Sequence, residues 1–368
     1  LKKTRPNILI TLVDLHFGGI SNLVLQTAPA LNERMNVFVV YFGPNEDMLE
    51  RFLNAGIRIE RINYEGKKDV LSAVLKLRKF IIKHKIDLVS ANFTPDKIIV
   101  SLTRILTKFR VLGTIHNAQD RTGEQMVVTW GSRFEEFFNN YIADKIIGVS
   151  SAAIRVAKTF KNLKNKNTVV VHSGIEGFSD VSIKQKIKGE TTIFITACRF
   201  TPVKGLNRIL QIFEKLKYLN KNWEFWLIGD GELMQELKNE VDRLGLTNNV
   251  KFMGFQHQLR FYYEAADFYI NSSYHEALGV SLLEAMSLGL PVIGSDVGGI
   301  PEIIRNRENG FLVNFNNINS TLNILTYAIE MSGVEYEQFS ANSIDTFHSK
   351  FSIEHYVEKM NYEVKSLI

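Results

Sequence analysis

The sequence predicts an α/β protein of two parallel-sheet domains that face one another across a cleft. Three observations carry this. The chain has 368 residues, too many for one hydrophobic core of ordinary size. Short runs rich in Val and Ile alternate with helical patterns from end to end, as repeated β-α-β units require. The alternation stops in a polar, lysine-rich stretch, "IKQKIKGE" (183–190), and then starts afresh. The expected domains are therefore 1–182 and 183–350. The last segment, 351–368, is read as a helix that crosses back to the first domain.

The elements follow in order. "NILITLV" (7–13) reads as a buried strand, and "DLHFGGISNLVLQTAPAL" (14–31) as a glycine loop running into a helix. "VFVVYF" (37–42) is a second strand. "LSAVLKLRKFIIKH" (71–84) has helical spacing, and "DLVSAN" (87–92), "VLGTIH" (111–116) and "KIIGVS" (145–150) read as further strands. After the linker come "TIFITA" (192–197), a helix over 205–220, "EFWLIGD" (224–230), a helix over 231–244 and "VKFMGF" (250–255). "DFYINS" (267–272), a helix near 279–288 and "PVIGSD" (291–296) complete the second domain. In open sheets of this kind, ligands bind beyond the carboxyl ends of the strands. The sequence positions there are the ones to search.

Composition narrows the function classes. Hydrophobic residues make up 45% and charged residues 23%, as in a globular chain. The one cysteine, Cys198, excludes an intramolecular disulfide and a cysteine zinc cluster. No signal peptide or membrane-spanning stretch is expected, which points to the cytoplasm. Residues 1–180 carry 26 basic and 17 acidic side chains, a net +9, against −4 for the remainder. A basic first half predicts an anionic partner, either a membrane surface or an acidic glycan. From 70 to 110 there are nine cations and two acids. Lys76, Lys79 and Lys83 fall on one helical face with Phe80, and Lys97, Arg104 and Lys108 align on the next helix. These stripes predict peripheral contact with the inner face of an anionic membrane. No nucleic-acid partner is expected.

Four stretches hold candidate chemistry. In "FGGIS" (17–21), Gly18 and Gly19 open a helix after the first strand, where backbone N–H groups can approach a phosphate. A tight turn would use the same glycines. The full dinucleotide fingerprint is absent, so a nucleotide-fold dehydrogenase is not supported. In "CRFTPVKG" (198–205), Arg199 and Lys204 follow a strand and precede a helix, placed to hold one pyrophosphate. In "EALGVSLLE" (276–284), the N–H groups of Gly279, Val280 and Ser281 form a second anion site at a helix start. Glu276 lies before it and Glu284 within the helix. Each carboxylate can accept two hydroxyl hydrogen bonds, which suits sugars and riboses. Cations for phosphates with carboxylates for hydroxyls describe a nucleotide sugar. The fourth stretch is "TIH", whose His116 ends a strand; Asp14 and His16, beside the glycine loop, receive no role.

"EALGVSLLEAMSLGLPVIGSDVGGIPEII" resembles the signature of glycosyltransferase family 4, whose members are retaining transferases with the GT-B fold of two Rossmann-like domains. "RFTPVKGLNRIL", "WLIGDGEL", "VKFMGF" and "VVHSGIEGF" are similar to further family segments, in family order, and "FGGISNL" and "TIH" match more loosely. The resemblance implies that Glu276 faces the donor sugar and Glu284 the donor ribose, that Arg199 and Lys204 hold the diphosphate, and that His116 lies beside the sugar. It adds Gly254 of "VKFMGF" on the donor side. Some positions depart from the pattern: Ala277, Leu278, Ser173, Glu176 and the Ile20-Ser21-Asn22 run. None removes a charge needed for the chemistry.

The expected activity is transfer of a sugar from a nucleoside-diphosphate donor, UDP-linked, to a hydroxyl of a glycan or lipid-linked acceptor in bacterial polysaccharide or glycoconjugate synthesis. No cofactor is expected. The sequence holds no Asp-x-Asp for a metal, and fixed positive groups oppose the leaving charge instead. Two other readings share the fold: a nucleotide-sugar epimerase, and a non-catalytic glycan-binding partner subunit.

Overall fold

The computed structural model describes residues 5–16, 19–116, 130–160, 162–164, 167–178, 191–219 and 221–368. The chain forms two compact units: Leu1–Glu176 with Ser352–Ile368, and Gly177–Phe351. The lysine-rich stretch expected as the linker, 183–190, lies outside the described residues.

The first unit runs β1 (Asn7–Leu12), α1 (Gly19–Asn32), β2 (Asn36–Tyr41), α2 (Leu49–Asn54), β3 (Arg58–Arg61), α3 (Val70–His84), β4 (Leu88–Ala91), α4 (Thr94–Leu106), β5 (Arg110–Ile115) and α5 (Trp130–Phe137). A π-helical turn, Phe138–Ile142, extends α5 before β6 (Lys145–Gly148), α6 (Ser151–Phe160) and β7 (Thr168–Val170). Its seven strands are parallel, in the order β3-β2-β1-β4-β5-β6-β7. The interior strands β4 and β6 are buried at every position, as a parallel sheet covered on both faces requires.

The second unit runs β8 (Thr192–Ala197), α7 (Leu206–Lys217), β9 (Trp223–Ile228), α8 (Met234–Arg243), β10 (Val250–Gly254), α9 (Arg260–Ala265) and β11 (Phe268–Asn271). It continues with α10 (Val280–Ser287), β12 (Val292–Ser295), α11 (Ile300–Ile303), β13 (Gly310–Val313), α12 (Ile318–Glu330) and α13 (Gly333–Lys350). The parallel order is β10-β9-β8-β11-β12-β13. Stacked and edge-on rings of Phe194, Phe213, Trp223, Phe225 and Phe268 fill its core.

Three short strands not expected from the sequence, β3, β7 and β13, all lie at sheet edges. β7 and β13 are largely apolar but only three and four residues long, whereas β3 is polar, as an edge strand can be. β3, "RIER", alternates exposed and half-covered positions and carries three charges.

In both sheets the chain builds outward from its first strand, then returns to that strand's other side. This switch point lies between β1 and β4 in the first unit and between β8 and β11 in the second. There the loops at the carboxyl ends of neighbouring strands diverge and leave room for a ligand. With right-handed crossovers, the reversal also puts α1 and α2 on one face of the first sheet and α3 to α5 on the other.

The last helix, α14 (Ile353–Lys365), packs on α1 within the first unit. Lys145, at the start of β6, bonds Glu363 and places its Nζ 2.6 Å from the Ser366 hydroxyl. Among the described residues, no helix is long and apolar enough to cross a membrane.

Candidate active site

At the switch point of the second unit, β8 ends at Ala197 and leads into Cys198-Arg199-Phe200. Phe200 is fully buried, and its N–H donates to the Asp230 carbonyl at 2.8 Å. The Cys198 N–H donates to the Ile228 carbonyl at 3.0 Å. Arg199 is thus held between two anchored neighbours with its own side chain exposed. Its guanidinium has no hydrogen-bond partner among the described residues. Burial pushes the Cys198 thiol up to about 11, so it is a thiol at neutral pH and no nucleophile.

Lys204 closes a short 3₁₀ turn, Pro202–Lys204, that leads into α7. The next residue, Gly205, has φ +63°, and a Cβ there would lie 2.3 Å from the Ser272 carbonyl oxygen. Only glycine lets this turn press against the end of β11. The Ser272 hydroxyl then donates to the Lys204 carbonyl at 2.9 Å. The Lys204 ammonium, so placed, is 2.7 Å from Glu276 Oε2. Their side chains are 24% and 16% exposed, so solvent still reaches the pair. The backbone of Glu276 is fixed from the other side. Gly299 N–H donates to its carbonyl at 3.0 Å, and Gly298, at φ +56°, passes so close that a Cβ would sit 1.8 Å from that oxygen. This is what the "GG" after the Glu-x7-Glu stretch does: it lets one loop carry the backbone of the first glutamate.

Gly279 caps α10, and its carbonyl accepts from the N–H groups of Leu282 and Leu283. The N–H groups of Val280 and Ser281 have no partner among the described residues, so the helix start offers two donors and a partial positive charge. The Ser281 hydroxyl pairs with Tyr269 at 2.7 Å. Glu284, one turn further on, accepts from the buried Tyr263 hydroxyl at 3.3 Å. Burial raises the Glu284 carboxyl to about 7, against a smaller lowering by the Tyr263 hydrogen bond. Gly254, the last residue of β10, accepts from Gly229 N–H at 2.9 Å and joins two strand-end loops.

Arg208 is a cation of this site that sequence reasoning missed. From α7 it donates to the carbonyls of Ser272 and Ser273 at 2.6 and 2.8 Å and to the Ser295 hydroxyl at 3.0 Å. Its guanidinium lies 4.0 Å from the centre of the Tyr274 ring. It clamps the ends of β11 and β12, and so the segment that carries Glu276.

At the switch point of the first unit the arrangement differs. Asp96, fully buried, accepts from the Thr11 hydroxyl at 2.6 Å and from the N–H groups of Asn92, Phe93 and Lys97 at 3.0, 2.7 and 3.0 Å. Asn92 Nδ2 donates to the Thr11 carbonyl at 3.0 Å. That bond orients the amide, so Asn92 Oδ1 must accept from His116 Nε2 at 2.9 Å. The proton of the ring therefore sits on Nε2, and Nδ1 keeps its lone pair. Burial, helped by the charge of Lys97, lowers His116 to about 3, which keeps the ring neutral. Phe93 stacks over it at 6.2 Å. Gly19 begins α1, while Gly18 lies outside the described residues. Asp14 and His16 bond each other beside this loop.

Three expectations for the basic helices are corrected. Lys108 does not align on α4: it lies past the end of that helix at Leu106 and in no helix. Phe80 does not share the lysine face of α3: it is 6% exposed and packs against Phe38 and His84. Lys97 is 1% exposed, its ammonium 3.4 Å from Glu135 and above the Phe138 ring, so it offers nothing to a surface.

Lys204, Glu276, Gly279, Val280, Ser281 and Glu284 thus come together around one strand end and one helix start. Arg199 follows β8 and Gly254 ends β10, two strands of the same sheet with β9 between them. Among the described residues, no group of three His, Cys, Asp or Glu side chains is placed to hold a metal. Positive charge and open N–H donors suit phosphate oxygens, and the carboxylates suit hydroxyls.

Comparison with known proteins places the chain among glycosyltransferases. The profile of the family described as Glycosyltransferase Family 4 matches residues 17–176, and that of Glycosyl transferases group 1 matches residues 177–345. An uncharacterized glycosyltransferase of Haemophilus influenzae is 25% identical over 307 residues, 82% of this chain and 84% of that one. The UDP-Gal:alpha-D-GlcNAc-diphosphoundecaprenol alpha-1,3-galactosyltransferase of Escherichia coli is 25% identical over 347 residues, 88% of this chain and 89% of that one. In fold, HepE of Anabaena, solved in complex with UDP, superimposes with a TM-score of 0.83 at 20% identity, covering 99% of this chain and all of that one.

Proposed function

This chain belongs to glycosyltransferase family 4, with the GT-B fold, and from that premise we propose that it transfers the sugar of a UDP-linked donor, with retention, to a hydroxyl of a lipid-linked or glycan acceptor in bacterial surface polysaccharide synthesis. The observation that carries the reading is the 2.7 Å pair of Lys204 and Glu276 beside the open start of α10. It joins a phosphate-binding cation to a hydroxyl-binding carboxylate, as the junction of diphosphate and sugar requires.

In this reading Lys204, Arg199 and the N–H groups of Val280 and Ser281 grip the diphosphate. When the bond from the anomeric carbon to the diphosphate breaks, its electron pair goes to the phosphate oxygen. These fixed groups stabilise the growing charge, and they do so without a divalent cation. The acceptor oxygen forms the new bond, and its proton passes to the leaving phosphate. Glu276 orients the transferred sugar through its hydroxyls, and Glu284 the ribose. His116, neutral and with Nδ1 free to accept, takes a sugar hydroxyl rather than donating a proton.

The test is binding and transfer across a panel of nucleotide sugars, with and without EDTA. A UDP-sugar should stabilise the chain by mass action and support transfer in excess EDTA. Loss of transfer in EDTA with recovery in Mn²⁺ would overturn the metal-free step, and no response to any nucleotide sugar would overturn the donor.

A further inference from the structure

We propose that the outer face formed by α3, α4 and α5 with its π turn docks on an anionic membrane. The observation is an exposed apolar surface edged by lysines. Leu71, Leu75 and Ile82 of α3 recur at i, i+4 and i+11, one stripe opposite the buried face of Ala73, Leu77 and Ile81. Leu102, Ile105 and Leu106 of α4 project outward likewise, with Ile105 78% exposed. α4 packs between α3 and α5, and Arg78 of α3 donates to the Leu106 carbonyl, which sets the two stripes side by side. Phe137 and Tyr141, ring centres 5.5 Å apart, continue the surface past α4. Single exposed leucines are ordinary in a soluble protein, but apolar side chains gathered on three adjacent helices are not.

Charge decides between occupants. Lys76, Lys79 and Lys83 are all exposed and run beside the α3 stripe, and Lys108 lies exposed beyond the end of α4. Arg104 and Arg110 are paired with Asp144 and are not counted with them. Between Val70 and Arg110 there are only two acids. Asp96 is buried, and Asp87 is engaged by the Asn7 backbone N–H. On the neighbouring helix, Glu135 lies by Lys97, and Glu136 accepts from Asn162. Lysine is depleted from the centres of protein interfaces, whereas an apolar strip flanked by lysines is the pattern of interfacial helices on anionic lipid. The leucines and isoleucines enter the headgroup boundary while the lysines meet phosphate.

The experiment is co-sedimentation of the full chain with vesicles of phosphatidylcholine alone, and of phosphatidylcholine mixed with phosphatidylglycerol. The chain should pellet only with the anionic vesicles and should be released by salt, because the attraction acts within a Debye length. Lys76→Glu, Lys79→Glu and Lys83→Glu together should lower the partition coefficient by at least ~100-fold. Leu75→Ser with Ile105→Ser should lower it by roughly tenfold. All five positions are exposed, so both variants should keep the parent's melting temperature and nucleotide affinity; a Lys→Gln set serves if the Glu set fails to fold. Failure of the parent to pellet at low salt, or equal pelleting of the lysine variant, would overturn the proposal. So would finding that the Leu75→Ser, Ile105→Ser variant turns a dimer of the chain into a monomer, since the face would then be a contact between copies.

Discussion

The two switch points of this protein sit at the same place in the same kind of sheet and are built on opposite rules. In the second unit Lys204 and Glu276 pair across a strand end that water reaches. In the first, Asp96 is sealed under four hydrogen bonds, and His116 is bonded through Asn92 into the same network. Charges that stay accessible can change partners when an anion arrives. A charge that is buried and saturated cannot, and its work is to hold shape. The loops of the second unit are therefore expected to govern binding and turnover, and the buried cluster of the first to govern stability and the orientation of one imidazole.

The largest effect expected from this contrast is on folding. Asp96→Ala leaves the N–H groups of Asn92, Phe93 and Lys97 and the Thr11 hydroxyl without their acceptor, all in a buried site. The first unit should lose about 3–5 kcal/mol. Denaturant melts followed by hydrogen exchange would locate the loss in β1, β4 and α4. UDP affinity of the folded fraction should stay within about twofold, since the change touches no phosphate-binding group. Lost affinity with unchanged stability would reverse the contrast.

How the two sites appear in sequence differs for the same reason. Lys204, Glu276 and Glu284 could be picked out because each lies in a short contiguous stretch, a strand-end turn for Lys204 and a helix start for the two glutamates, and those stretches resemble the family's signature. The contacts that orient them could not. Tyr263 is 21 residues before Glu284, and Arg208 reaches Ser295 across 87 positions. Only the folded sheet brings them together. The tautomer of His116 depends on an amide 24 residues away whose own orientation is set by β1. The helical wheel of α4 grouped Lys97 with Arg104 correctly, but a wheel gives angles between residues and not which arc meets the sheet. Glu135 and Phe138, which cover Lys97, belong to the next helix. Phe80 fell on the wrong arc for the same reason.

The next effect is on turnover. Glu276→Gln keeps the shape and removes the charge, and should lower kcat by about 100-fold while changing UDP affinity less than tenfold. Lys204→Ala should lower both UDP affinity and turnover by at least ~10-fold, the loss of one charge-assisted contact. Because the two groups touch, the double variant should be non-additive by about 1 kcal/mol or more in a mutant cycle. Melting temperatures should move by no more than ~2 °C, as expected where little burial is lost. A retained kcat in Glu276→Gln would remove Glu276 from the reacting sugar, and strict additivity would show that the pair does not act together.

A smaller effect comes from Glu284, the one carboxyl of the second site that resembles the first in being covered. Burial raises it to about 7, so at neutral pH it is partly protonated. The carboxylate form accepts from hydroxyls on both oxygens and with its full charge, whereas protonation turns one oxygen into a donor. Affinity for a UDP-sugar should therefore rise with pH and level off above the carboxyl's pKa, a change of about tenfold between pH 6 and pH 8. A UDP-sugar is the right ligand, because it lacks the terminal phosphate whose second ionisation near about 6 would overlap. Glu284→Gln should bind more weakly and show no slope. A slope that persists in Glu284→Gln would belong to another group.

The smallest effect tests what holds Glu284 at that value. The Tyr263 hydroxyl is buried and donates to the carboxylate, favouring the charged form against the burial that opposes it. Tyr263→Phe keeps the ring in its place beside Tyr269 and removes only that donor. One hydrogen bond to a charged group is worth roughly 1 kcal/mol, so the midpoint of the affinity profile should move up by about half a unit to one unit. At pH 7 the variant should bind a UDP-sugar about two- to fivefold more weakly, and well above the midpoint it should bind as the parent does. A merely structural tyrosine would give a loss that does not depend on pH. Equal weakening at every pH would therefore assign Tyr263 to packing alone, and leave burial as the sole control on the second glutamate.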